Sequence, residues 1–436
     1  MPMKYISTKT SMLYEESTTA KRSAILIFGD EVQTSGSSVN GRIKTKFRNM
    51  QGFVDEDHLG DKPALELYFI DVGQGDSTFI VTPSRKKILI DGGINNRAFG
   101  FLAWKYRFDK DGPPVDIDLL VLSHADEDHI KGLIPIIQHP KVNVRRIIHN
   151  GIATFKEGAF KTELGDLDPG NKYLVTMHDT VNDLNGLQLD ETFEVWKQAV
   201  LDEGMSYNAV SSKTGYIDIG DPDIAIEVLG PCPDIYKNRP ALYWLKDASK
   251  TINGNSVILR LTYGHVSILF TGDVNTEGSK ILLNDPKIKA NLSAHIYKAP
   301  HHGSHDFYRT FLEVVRPQVS VISSGDEPDH GHPRAVCIGA LGQLSRSSKP
   351  LVFSTEIAAT FVEAKEKEDK KESSSEKGLE TLDARTRDAN LLGRIYFKRR
   401  LHGMINVRTD GQEIYAARRV AAGYWWESYG PITPAP

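Results

Sequence analysis

The chain's 436 residues, 40% of them hydrophobic, are enough for roughly two or three domains with a sizeable core. Its 53 Lys and Arg against 57 Asp and Glu leave a formal charge of −4, which excludes a chain-wide basic field, so any contact with nucleic acid must rest on a local patch. Two cysteines, Cys232 and Cys337, exclude a disulfide framework; with no apolar signal core and no apolar run near about 18 residues, the expected place is the cytoplasm and no membrane is expected as a partner.

Residues 1–62 read as a small all-β unit. Short strand-like runs at Ala24 to Phe28, Gly29 to Val32, Gly41 to Phe47 and Gly52 to Val54 are split by Gly- and Ser-rich turns, Gln33 to Asn40 among them. Their order resembles a bacterial SH3-like barrel, with Gly29-Asp30-Glu31-Val32 opening a strand and Gly52-Phe53-Val54 closing it. That resemblance implies a protein partner held through this unit, with chemistry elsewhere.

From Leu65 the pattern sharpens. Strands are expected at Leu65 to Ile70, Thr78 to Val81 and Lys87 to Ile90, with the acids Asp71, Asp76 and Asp91 at their ends or turns and glycines beside them. A helix is expected from Asn96 to Phe108 and a buried strand at Asp118 to Leu122. That strand runs into Ser123-His124-Ala125-Asp126-Glu127-Asp128-His129, and a helix follows from Lys131 to Gln138. Carboxylates set side by side are costly to bury without a cation, and His124, Asp126, Asp128 and His129 offer the N and O donors that a divalent ion such as Zn or Mn takes. The next strand is expected at Val144 to Ile148, and alternating strand and helix predict a layered α/β domain.

Residues 151–222, polar and Gly-rich, read as an insertion with a helix at Asp190 to Leu201. Strands resume at Asp223 to Leu229, Asn255 to Tyr263, Val266 to Phe270, Ala294 to Lys298 and Val319 to Ser323, with a helix at Glu277 to Leu283. Ligand-type residues recur at their tips: Asp273, then His301, His302, Ser304 and His305, then His332. The charged stretch Glu363 to Lys377, within a loop expected over 363–390, reads as solvated. Closing strands are expected at Ile395 to Arg399, Met404 to Arg408 and Glu413 to Arg418, among the cations Arg394, Lys398, Arg399, Arg400, Arg418 and Arg419, before an aromatic tail at 421–436 containing Tyr424-Trp425-Trp426.

The segment His124 to His129 resembles the metallo-β-lactamase superfamily signature HxHxDH, with Asp126 in the second histidine place. Asp71 to Ser77, Leu89 to Gly93, Thr271-Gly272-Asp273, His301 to Ser304 and Gly331-His332-Pro333 narrow the likeness to the hydrolase domain of the DNA-uptake competence protein ComEC and its stand-alone relatives, over roughly 64–420. The resemblance implies an αββα sandwich over 63–420, with two divalent metal ions, Zn or Mn, at one edge of its sheets. It implies His124 and Asp126 on one metal, Asp128 and His129 on the other, and Asp273 between them. The last ligand is His301, His302 or His332; with His301 in that place, His302 and His332 are left to protonate a leaving oxygen. Asp71, Asp76, Asp91, Asn255 and Ser304 are expected to support the site. The superfamily's third histidine has no clean match, and His149 and Asn255 are the candidates for its position.

Two bridged cations would activate water and clamp a phosphodiester, which predicts a phosphodiesterase or nuclease acting on nucleic acid or a small phosphodiester. A hydrolase of a small ester, cyclic nucleotide, lactone or phosphorylcholine-type substrate keeps the same centre. A partner-binding scaffold without catalysis is the contrasting expectation.

Overall fold

The computed structural model describes residues 2–108, 112–325, 331–356, 403–421 and 425–436. The charged loop at 363–390, the strand expected at 395–399, the cations Arg394, Lys398, Arg399 and Arg400, and Tyr424 lie outside the described residues.

The N-terminal strands are β1 (Met3–Ile6), β2 (Thr10–Tyr14), β3 (Arg22–Ile27), β4 (Glu31–Val39), β5 (Arg42–Phe47), β6 (Met50–Asp55) and β7 (Leu59–Gly60). They form one 7-stranded antiparallel sheet in the order β3-β2-β6-β5-β4-β1-β7. Alternate residues such as Leu13, Leu26, Val32 and Val54 turn inward to a small core of their own. The expected turn over Gln33 to Asn40 is mostly strand instead, because Gln33, Thr34 and Ser35 pair with Lys46, Thr45 and Lys44. The reversal falls on Asn40-Gly41, whose φ values of 56 and 76 suit a two-residue hairpin that twists with its strands.

The next strands are β8 (Leu65–Phe69), β9 (Thr78–Val81), β10 (Lys87–Ile90), β11 (Val115–Ile117), β12 (Leu119–Val121), β13 (Val142–Val144), β14 (Arg146–His149), β15 (Tyr173–Leu174) and β16 (Ser206–Ala209). Then come β17 (Tyr216–Ile217), β18 (Ile224–Gly230), β19 (Asp234–Tyr236), β20 (Arg239–Tyr243), β21 (Ile258–Tyr263), β22 (Val266–Phe270), β23 (Ile296–Lys298), β24 (Val319–Ile322) and β25 (Leu351–Ser354). After the undescribed stretch follow β26 (Ile405–Thr409), β27 (Ile414–Ala421) and β28 (Trp425–Ile432). A 9-stranded sheet, β16-β14-β12-β10-β9-β8-β26-β27-β28, faces a 7-stranded one, β17-β18-β21-β22-β23-β24-β25. Between them lies a shared core to which Ile88, Ile90, Leu119 and Val121 contribute from one sheet and Ile226, Val266, Ile268 and Phe270 from the other.

The unbroken apolar runs of these strands have a direct cause. Leu89 and Leu120 point the opposite way, into a second core beneath helices, and a strand covered on both faces has no polar side to show. Each such Leu or Ile, fully buried, contributes about 1.5–3 kcal/mol of transfer free energy. Helix α1 (Arg97–Tyr106) inserts Ala98, Phe101 and Leu102, spaced for one helical face. The short helices α2 (Glu127–Ile130) and α3 (Ile134–Ile137) follow β12. Helix α4 (Glu191–Asp202) is capped by the Asp190 side chain, which accepts from the Phe193 N–H, and buries Phe193, Trp196 and Val200. Behind the second sheet, Leu282, Phe311, Leu312 and Leu341 pack a third core from helices within 276–343, completing the αββα order of layers.

Within residues 151–222, β16 extends the larger sheet along β14, and α4 places Trp196 in its helix-side core. Two more expectations change. The strand expected at Val144 to Ile148 is broken at Arg145, where the chain steps from its pairing of β13 with β11 to that of β14 with β12. The aromatic tail is a strand, β28, paired antiparallel with β27. Among the described residues no helix is long and apolar enough to cross a membrane.

Candidate metal centre

Parallel strands β10 and β12 of one sheet, and β22 to β24 of the other, deliver their C-terminal ends to a common edge. After β12 the chain runs extended through Ser123 to Asp126 and enters α2 at Glu127, so His124, Asp126, Asp128 and His129 are spread around one turn. Asp91 leaves β10, Asp273 leaves β22, and His301 and His302 leave β23. Asp91, His301 and His302 all hold positive φ, of 57, 50 and 51. Non-glycine residues pay about 1–3 kcal/mol each for such backbone, which persists where surrounding structure enforces it.

The side chains converge. His302 Nε2 lies 3.0 Å from Asp273 Oδ2 and 3.2 Å from Asp128 Oδ2. His129 Nε2 lies 3.5 Å from Asp273 Oδ2 and 3.8 Å from Asp128 Oδ1. His124 Nε2 stands 3.6 Å from Asp126 Oδ2, with its ring centroid 3.9 Å from that of His129. Ligand-type atoms of Asp76, His129, Asp273 and His302 all fall within 4.8 Å of one another, and form a candidate metal-binding group.

A carboxylate and a carbonyl fix the imidazoles from behind, Asp91 on His129 and the Ser323 oxygen, 3.2 Å from Nδ1, on His302. Asp91 Oδ2 receives His129 Nδ1–H at 2.9 Å, while its Oδ1 accepts from the Ser123 N–H at 2.8 Å. Asp76 Oδ1 sits 3.2 Å from His302 Nδ1, and its other oxygen contacts the buried Lys298 ammonium. Such partners set the tautomer and leave Nε2 to face a metal. On the far side, Nε2 of His124, His129 and His302 is buried with no hydrogen-bond partner. Orphaned nitrogens gathered a few ångströms from carboxylates are what a cation would satisfy, so the residues fit a divalent ion.

The electrostatics carry the same message. Burial disfavours charge on Asp273 and on Asp128, yet His302 and His129 hold both carboxyls well below the usual range. Burial likewise opposes charge on His129 and His302, and the surrounding carboxylates, Asp273 foremost, outweigh it and raise both imidazoles well above their ordinary value. Positive charge is therefore demanded here, as protons when no cation is bound. His301 differs: burial pushes its pKa down, leaving the ring neutral.

Of the three histidines left open for the last ligand, His302 stands against Asp128 and Asp273, and His301 does not. His301 reaches Asp273 only through its main-chain N–H, 3.2 Å from Oδ1, and its ring centroid is 6.2 Å from that of His302. His332 lies beside both, its ring 5.8 Å from His301 and 6.3 Å from His302. Asp76 is drawn into the group itself. Asp71 is not: it pairs with Arg97 at 3.1 Å, away from the imidazoles. Ser304 shapes the turn, its N–H donating to His301 O at 2.7 Å. Neither candidate for the third histidine reaches the cluster. His149 stacks on Tyr207 and His178 and accepts from the Gly151 N–H, and Asn255 turns its amide nitrogen to the carbonyls of Thr251 and Tyr243. Sequence reasoning missed Lys298, whose only signal was a lone cation closing an apolar strand, and Gln74, which donates to Asp128 Oδ2 at 2.9 Å.

Residues 70–202 match the model of the metallo-β-lactamase superfamily. The chain is 26% identical over 287 residues to ComE operon protein 3 of Bacillus subtilis (strain 168), covering 62% of this chain and 29% of that protein. It is 37% identical over 82 residues to Competence protein ComA of Neisseria gonorrhoeae, covering 19% of this chain and 12% of that protein. The chain thus spans less than a third of either relative's length. Among solved structures, metallo-β-lactamase SMB-1 is similar at 11% identity over 54% of this chain and 79% of its own, with a TM-score of 0.27.

Proposed function

Because this chain has the metallo-β-lactamase fold, and with it the superfamily's hydrolase scaffold, we propose that it is a metal-dependent phosphodiesterase acting on nucleic acid. The convergence of partnerless imidazole nitrogens on Asp128 and Asp273 is the observation that carries this reading. Two divalent cations, Zn or Mn, are proposed, with His124 and Asp126 on one, Asp128, His129 and His302 on the other, and Asp273 shared. Oxygen-rich donors around His124 favour a hard ion such as Mn at the first position. Bound there, a cation supplies Lewis acidity, lowering the pKa of water and offsetting charge on a phosphodiester.

The chain's own residues do the rest. Asp91 and the Ser323 carbonyl hold His129 and His302 in one tautomer, and Lys298 keeps Asp76 ionised and in place beside His302. His301, neutral, and His332 flank the group and are assigned to the leaving oxygen, the first by hydrogen bonding and the second by proton transfer. The motif resemblance to a DNA-uptake competence hydrolase domain, together with the likeness to a competence protein and a ComE operon protein, supports a nucleic-acid substrate over a lactone or small ester.

The test incubates metal-loaded protein with supercoiled plasmid, single-stranded DNA, RNA and bis-p-nitrophenyl phosphate, alongside Asp128→Ala. Cleavage of a polymer by the wild type alone is expected. Cleavage of the small diester and of no polymer would shift the reading to a small-phosphodiester hydrolase. Hydrolysis of none of the four would overturn it. Elemental analysis of the same sample counts and names the metals.

A further inference from the structure

A cleft of about 590 Å³ separates the N-terminal sheet from the 9-stranded sheet. Its size falls within the roughly 300–1,000 Å³ of small-molecule pockets. One wall is β4 and β5, and the other is β8, the end of α1, and β26. It shares no lining residue with the metal centre.

Charge in the cleft is lopsided, with seven cationic side chains against three carboxylates. Those carboxylates are already matched. Glu66 lies 3.3 Å from Lys105 Nζ and 3.8 Å from Arg408, Asp30 lies 2.9 Å from Arg408, and Glu31 contacts Arg85. Lys46 and Arg107 add positive charge beyond that balance, and Lys87, whose Nζ donates to Arg85 O at 3.2 Å and whose charge Asp118 partly offsets from outside the cleft, adds to it, so the cleft attracts an anion.

Flat apolar surface lies beside the charge. Trp104 and Trp426 line the cleft, and the Arg48 guanidinium covers the Trp104 ring at 3.8 Å, setting a cation and an aromatic face together. Two donors in the wall are buried without a partner, the Tyr106 hydroxyl and the Asn406 Nδ2. The other end of the Asn406 amide is taken, since its Oδ1 accepts from Arg408 Nε at 3.1 Å. Burial keeps the Tyr106 phenol protonated, and so a donor. Both atoms are shut off from water in the unliganded chain, so an acceptor from outside reaches them only when the wall side chains shift.

We propose that this cleft is a second ligand site that binds a nucleoside phosphate, its phosphates on Lys46, Lys87 and Arg107 and its base against Trp104 and Trp426. Phosphate matches the excess charge, a purine or pyrimidine matches the aromatic faces, and base or sugar acceptors match Tyr106 and Asn406. Sitting between the two sheets, the ligand would also tie the N-terminal unit to the hydrolase layer.

Calorimetric titration of the full chain with ADP, and separately with inorganic phosphate, tests this. ADP is expected to bind, and to bind equally to Asp128→Ala. Tyr106→Phe removes only a hydroxyl that has no partner, so the unliganded protein should melt no lower while ADP affinity falls about fivefold. Lys46→Glu, on an exposed position of β5, should weaken ADP about tenfold. Both variants should hydrolyse bis-p-nitrophenyl phosphate at the wild-type rate. No heat with millimolar ADP, or ADP affinity unchanged in both variants, overturns the proposal. Inorganic phosphate binding as tightly as ADP, with the same loss in Lys46→Glu, overturns the nucleoside phosphate in favour of a bare anion.

Discussion

Asp91 offers the sharpest test of the metal centre, because one atom of it can be exchanged at almost constant shape. Its two oxygens receive His129 Nδ1–H at 2.9 Å and the Ser123 N–H at 2.8 Å, and the side chain is buried. In Asp91→Asn one oxygen remains. If it stays on Ser123, the new NH₂ faces His129 Nδ1 and requires that nitrogen to be an acceptor. The ring proton then moves to Nε2, the atom that points at Asp273 from 3.5 Å. A ligand nitrogen that carries a proton cannot bind a cation, and loss of such an orienting carboxylate costs about 10–100-fold in metal affinity. That is about 1.4–2.8 kcal/mol, at 1.36 kcal/mol per tenfold. Competition of stripped protein with a chromophoric chelator reads the affinity, and circular dichroism reports the fold. Asp91→Ala should lose a similar affinity and, by leaving the Ser123 N–H unpaired, a further roughly 1–3 kcal/mol of stability. An Asn variant that held its cation within threefold of wild type and hydrolysed diester normally would refute the orienting role.

Gly75 holds φ at +104, and a Cβ there would stand 1.9 Å from the Asp128 carbonyl oxygen; Gly75→Ala should therefore displace Asp128 and cut turnover at least about tenfold with the cores intact, as kcat and thermal melting report. Arg408→Met removes the cation at 2.9 Å from Asp30 and leaves that acid and Glu66 buried; urea unfolding should show about 3–5 kcal/mol of lost stability, and a loss under about 1 kcal/mol would refute the pairing. Burial and the neighbouring Glu356 push the Asp71 carboxyl from 3.8 up to about 7. The folded chain then keeps a proton that the unfolded chain releases between those values, so this group makes stability fall as pH rises through that window. Asp71→Asn should narrow the melting-temperature gap between pH 5 and pH 8, and an unchanged gap would contradict the shift.

Much of the layered fold is visible in one dimension. Runs such as Ile88 to Ile90 and Ile268 to Phe270 are apolar on both faces, and only a strand covered on both sides is written that way. Helices α1 and α4 show their inward faces as a spacing of three and four, and Asp190 marks the start of α4 as its cap. What escaped was pairing. Gln33 to Ser35 look like a turn because they are polar, and are strand because β5 lies alongside. Serine and glutamine state no preference of their own strong enough to decide between the two.

The candidate centre divides in the same way. Residue chemistry at the strand tips was legible, because carboxylates and imidazoles have little reason to follow buried strands unless something binds them. Which of them meet was not. His302 stands in the group and His301 beside it, on two successive residues that both hold positive φ. Asp76 joins through Lys298, a residue 222 positions along that carries no motif. His149 and Asn255 drop out because local main-chain partners claim them first. By itself the sequence determined donor types and the strands that carry them, since these follow from local chemistry and periodicity. Only the tertiary structure decided which donors share one small volume, because distances of 3 to 4 Å between residues far apart in the chain are set by how two sheets pack, and no local pattern encodes that.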